Sequence, residues 1–148
     1  MKTIEAVRAY KIMKASKLTK MDDADKMKFI KAMRVLRPIA EEYDKDLEDG
    51  RNALLDDKYE EAQQKGAKHN EAIANKTQDG LLSFSELKEL NDYFKKTDKD
   101  LNELIKELNE KEITITIGRL NEAAFEKLVA SNDMNGDDLV ALSDVILD

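Results

Sequence analysis

The sequence predicts a mainly α protein: an antiparallel, long helical hairpin of coiled-coil-like character, with a short two-stranded β element and small C-terminal helices. Three observations predict it. Charged residues make up 39% of the 148 positions and aromatics 5%, with one Pro, five Gly and no Trp. That balance suits long solvated helices better than a barrel or a sandwich. Leu87, Leu90, Phe94, Thr97, Leu101, Leu104 and Leu108 alternate by three and four without a slip, which is a sustained coiled-coil-type seam. Residues 113–117 read ITITI, a strict alternation that is the one clear strand pattern in the chain.

A single domain over 1–148 is expected from the length. Residues 1–18 read as an N-terminal basic helix, with Ile4, Val7, Tyr10 or Lys11 and Met13 or Lys14 in sequence, an apolar stripe broken by lysine. Thr19 and Asp22 have capping-box spacing and place the start of a second helix near residue 20. Met27, Ile30, Met33, Leu36, Ala40, Tyr43, Leu47 and Leu54 carry its apolar stripe, and the helix is expected to reach about residue 65. Pro38 removes one backbone hydrogen bond inside it, so a kink is expected there.

Residues 66–84 hold Gly66, Gly80 and little apolar content, and read as a connecting loop. A strand cannot stand alone, so residues 81–84 at the end of this loop are the expected partner of 113–117. The heptad helix spans 85–111 and folds back along the second helix, with Thr97 at a d-like position of its seam. Two short helices within 121–147, separated by SNDMNG, close the chain.

Charge is uneven. Residues 1–37 hold eleven Lys/Arg against four acids, and the remainder hold fourteen against twenty-eight, within a net charge of −7. A basic helix lying against an acidic one inside the fold accounts for this. A basic face for an acidic partner or a nucleic acid is the alternative, carried by Arg8, Lys11, Lys14, Lys17 and Lys20. An acidic surface that mimics DNA is a further alternative without a motif behind it.

With no Cys, the chain has no disulfide, thiol nucleophile or thiolate zinc site. MKTIEAVRAYKIMK has charges every few residues and is not a signal peptide. No apolar run approaches a membrane span. A cytoplasmic protein that does not engage membranes is expected.

The stretch 75–86, NKTQDGLLSFSE, has nearly the register of an EF-hand loop. Asn75, Thr77, Asp79 and Glu86 would be ligands, Gly80 the turn and Leu82 the inward apolar residue. Only Asp79 and Glu86 are carboxylates. A second echo at 133–144, close to the dockerin-type loop, offers Asp133, Asn135, Asp137 and Asp144, with Asp138 where a Gly belongs. Calcium is the one cofactor these patterns suggest. Each also has a structural explanation. Ser83 and Glu86 have capping-box spacing, and Asn135 can cap the last helix with Asp137 and Asp138 in its first turn.

His69 is the one histidine and reads as ordinary surface in a polar loop. No Ser/His/Asp set, phosphate-binding Gly loop or HExxH pair is present. The carboxylates fall on solvated helix faces such as EEYDKDLED, so an enzyme is not expected.

The order of elements is itself suggestive. A short helix precedes a long charged helix ending in LLDDKYEEAQ, followed by a polar loop with a DG turn. A helix of the ELNDYFKK…LNELIKELNEKEITI type and a short LVALSDVI helix follow. This order resembles small phage- and prophage-encoded proteins of uncharacterised function, over most of the chain. The resemblance implies an interaction or assembly role, in a bacterial host cell or on a virion, and carries no catalytic residues across. The expected function is therefore a non-enzymatic protein–protein interaction or assembly module that binds a protein partner or its own copies. Its expected contact surface is the open edge of Ile113, Ile115 and Ile117 or the basic N-terminal face. A calcium-binding protein using loops 75–86 and 133–144 and a nucleic-acid-associated protein are the alternatives.

Overall fold

The computed structural model describes residues 1–148 and contains six helices and no sheet. They are α1 (Thr3–Ala15), α2 (Asp23–Leu54), α3 (Asp57–Asn75), α4 (Phe84–Glu110), α5 (Glu122–Ala130) and α6 (Gly136–Ile146). The mainly helical expectation holds. The two-stranded β element does not form: residues 81–83 are irregular, Phe84 already opens α4, and residues 113–117 join no ladder.

The expected second helix is also two helices. Pro38 lies inside α2 on an exposed face and does not interrupt it. The break comes at Leu55–Asp56 instead. There the Asp56 carboxylate accepts the Tyr59 N–H at 3.1 Å and caps a new helix whose first turn holds Asp57 and Glu60. A short acidic side chain can offer the backbone this alternative to continuing a helix. The start of α2 falls at Asp23, three residues beyond the start near residue 20 expected from Thr19 and Asp22, and Met21 is buried just ahead of it.

Most of the expected 66–84 loop belongs to α3. Its inward stripe runs through Tyr59, Ala62, Gly66, His69 and Ala72, at helical spacing but made of small or polar side chains. The helix closes on Lys76, whose φ of 56° lies in the left-handed region and whose N–H reaches back to Ala72 and Ile73. Gly80, at φ 86°, makes the following turn, where a side chain would be strained.

The chain divides into two compact units. The first comprises Met1–Lys45 and Glu107–Asp148. It holds all of the large, fully buried side chains: Val7, Met13, Phe29, Leu36, Leu120, Leu128, Leu142, Val145 and Ile146. The closest helix pair is α1 with α6, and Ala6 and Ala9 on α1, both at 0% exposure, permit such an approach. The 16–22 segment is fastened to the end of α5. Asn132 accepts from the Lys17 N–H at 2.7 Å and donates to the Lys17 carbonyl at 2.8 Å. Ser131 Oγ accepts from the Lys20 N–H at 3.0 Å, and Lys127 pairs with Asp22 at 3.1 Å.

The second unit is Asp46–Lys106. Here α4 runs antiparallel to α3. Tyr59 packs edge-on against Phe94 with ring centroids 5.6 Å apart, Gly66 faces Leu90, and the Leu82 N–H donates to His69. Gly50, near the end of α2, lies hard against Leu104. The seam residues Leu87, Leu90, Phe94, Leu101 and Leu104 are half-buried, and Thr97 alone among them is buried. Its hydroxyl donates to the Tyr93 carbonyl one turn back, at 3.0 Å. The buried residues of this unit are Ala62, His69, Ala72 and Thr97, so no large aliphatic side chain is fully enclosed in it.

Candidate functional site

The expected ligands of the 75–86 loop are spread from the last residue of α3 to the first turn of α4. Asn75 is the last residue of α3, and Thr77 and Asp79 are exposed. The Glu86 carboxylate accepts the Ser83 N–H at 3.3 Å, while Ser83 Oγ accepts the Glu86 N–H at 3.2 Å. This is a complete capping box for α4. At 133–144, the Asn135 side chain accepts the Asp138 N–H at 2.8 Å and caps α6. Asp137 sits in the first turn of α6, Asp144 is exposed along it and Asp133 is exposed ahead of it. No three His, Asp or Glu side chains are grouped so as to hold a metal ion.

His69 is not surface. It is 7% exposed on the inward stripe of α3, and its Nδ1 accepts the Leu82 N–H at 2.9 Å. An imidazole that holds down a loop amide has a structural task.

All five cations expected on the basic face are exposed. Arg8, Lys11 and Lys14 lie on α1, while Lys17 and Lys20 lie in the segment fastened to α5. Lys11 pairs with Asp44 at 3.5 Å. Arg8 and Lys11 also share a cleft with Asp137, Asp138 and Asp144 of α6. Basic α1 therefore lies beside acidic α6, and of the five cations Lys11 alone forms an ion pair. A second set of cations lies on α2 and was not singled out by sequence reasoning. Lys28, Lys31, Arg34 and Arg37 are exposed and form no ion pair, with Met27 and Ile30 exposed beside them. The signal was present: residues 26–40 hold five Lys/Arg and no acid.

The 113–117 segment lies outside the six helices. Ile113, Ile115 and Ile117 are half-buried and Thr114 and Thr116 exposed, the period-2 burial that an extended chain produces. Each end is anchored. The Ile113 N–H donates to the Met1 carbonyl and the Thr3 N–H to the Lys111 carbonyl, both at 2.9 Å, so Lys2 and Glu112 form an antiparallel bridge. Leu120 forms a parallel bridge with Leu147, donating to the Ile146 carbonyl at 2.7 Å and accepting from Asp148 at 2.8 Å. Between the anchors, no N–H or C=O of residues 114–119 takes part in a backbone–backbone hydrogen bond.

Near the turn between α3 and α4, Ile73, Leu81 and Phe84 are exposed, Phe84 to 86%. No helix is long and apolar enough to cross a membrane. No family model matches the chain, and no curated protein or solved structure is detectably similar to it.

Proposed function

We propose that this chain is a non-enzymatic protein–protein interaction or assembly module, and that residues 113–117 are its contact segment. One observation carries the reading: an anchored, alternately buried segment whose backbone groups from residue 114 onward form no backbone–backbone hydrogen bond within the chain. Unpaired strand edges are ready templates for another chain, and main-chain hydrogen bonds supply the affinity when a strand is added to one. Ile113, Ile115 and Ile117 hold the segment against its own unit, leaving the backbone presented. A bacterial or virion setting accords with the phage- and prophage-like order of helices.

Affinity capture from the source cell tests this. The wild-type chain is expected to retain a protein that a Thr116→Pro chain releases, because proline removes the N–H needed for pairing. Identical capture by both chains would overturn the proposal.

A second reading rests on a different surface. The unpaired cations Lys28, Lys31, Arg34 and Arg37 on α2 suit a nucleic-acid backbone. A DNA mobility shift that weakens steeply with salt and is lost when these four are changed to Gln would favour it over the first.

A further inference from the structure

The bridge at Lys2 and Glu112 fixes which edge of the segment is open. In an antiparallel pair, the hydrogen-bonding groups of alternate residues point to opposite edges. The Lys111 carbonyl accepts from Thr3 and the Ile113 N–H donates to Met1, so the groups of Glu112 point the other way. The period-2 burial continues through residue 117, which carries the same alternation forward. Thr114 and Thr116 therefore present their N–H and C=O on the edge opposite the N-terminal residues.

The sequence on that edge is a palindrome. ITITI reads the same in both directions about Ile115. An antiparallel pairing of two copies across a two-fold axis at Ile115 places isoleucine opposite isoleucine and threonine opposite threonine. Thr114 of each copy then exchanges both backbone hydrogen bonds with Thr116 of the other, and the two Ile115 residues form the non-hydrogen-bonded pair between them. A two-fold interface needs a self-complementary patch, and matched β-branched pairs are favourable neighbours across strands.

We infer that the contact segment takes a second copy of this chain, joined antiparallel through Thr114 and Thr116 with Ile115 on the two-fold axis. The inference rests on the interaction reading above and names its partner. Five paired residues bury far less than the roughly 1,200 Å² of a stable interface, so the dimer is weak and concentration-dependent.

Sedimentation analysis from micromolar to about 1 mM chain, joined to a cysteine cross-linking test, decides it. The chain has no native Cys. The Cα atoms of a non-hydrogen-bonded pair lie about 4.5 Å apart, within disulfide reach. Ile115→Cys is therefore expected to cross-link to its own copy under mild oxidation, and much faster than Thr114→Cys, which lies opposite residue 116. Association is expected to weaken by about tenfold or more in Thr116→Pro, because the substitution acts twice across the axis. Circular dichroism checks that the variant keeps its helices.

A chain that stays monomeric at 1 mM overturns the inference, as does equal cross-linking of the two cysteine variants. Amide exchange then separates the causes. Fast exchange at Thr114 and Thr116 in the monomer leaves the edge open to a different protein, whereas protection there removes the interaction reading as well.

Discussion

Ser83 and Glu86 close the start of α4 on each other: the Glu86 carboxylate accepts the Ser83 N–H, and Ser83 Oγ accepts the Glu86 N–H. The residue that most resembles a calcium ligand is therefore occupied by the backbone. Ser83→Ala is expected to cost about 1 kcal/mol in chemical denaturation. Titration calorimetry is expected to show no micromolar calcium binding, since the remaining donors of the loop are one carboxylate, Asp79, and two neutral side chains. Micromolar heats lost in Glu86→Gln would show that the ion displaces the cap.

Gly50 sits in the interior of α2, where glycine costs roughly 1 kcal/mol relative to alanine. Its place is explained by Leu104, which a β-carbon at residue 50 would strike. Gly50→Leu is expected to destabilise the protein by about 1–3 kcal/mol through overpacking. Leu104→Ala in the same chain should recover part of that loss, and a double-mutant cycle by urea denaturation measures the coupling. Strictly additive effects would mean that the two residues do not meet.

His69 anchors the Leu82 N–H from inside the α3–α4 pair. Changing His69→Leu leaves that amide without its acceptor, at an expected cost of about 1–3 kcal/mol. The loss should be local, and hydrogen exchange at Leu82 is expected to speed up before the helices around it do. Unchanged exchange at Leu82 would contradict the assignment.

The parts of this fold that announce themselves in the sequence are those carried by large apolar residues at regular spacing. The leucine seam predicts α4, and the capping residues Ser83 and Asn135 are found in their predicted roles. The hidden parts are carried by residues that leave no hydrophobic signal. α3 packs through Ala62, Gly66, His69 and Ala72, so its helical period is invisible to a search for leucine and isoleucine. The break at Asp56 depends on one carboxylate choosing a backbone N–H, while α2 runs on through Pro38, the more conspicuous residue, which lies on an exposed face.

Residues 113–117 combine both cases. Their alternation is real in burial, with isoleucines inward and threonines outward. Pairing is a long-range matter that alternation alone cannot decide. The expected partner at residues 81–84 is taken up by the turn and cap before α4, and the N-terminal residues reach only as far as Ile113.

The central claim is that residues 114 and 116 keep an edge open for another chain. Amide hydrogen exchange of Thr114 and Thr116, followed by NMR in dilute protein, tests it most directly. The account predicts exchange near the rate of an unstructured peptide, beside a slowly exchanging Ile113 amide that is held by Met1. Slow exchange at Thr114 and Thr116 in the dilute monomer would contradict it, because their N–H groups would then already be bonded within the chain.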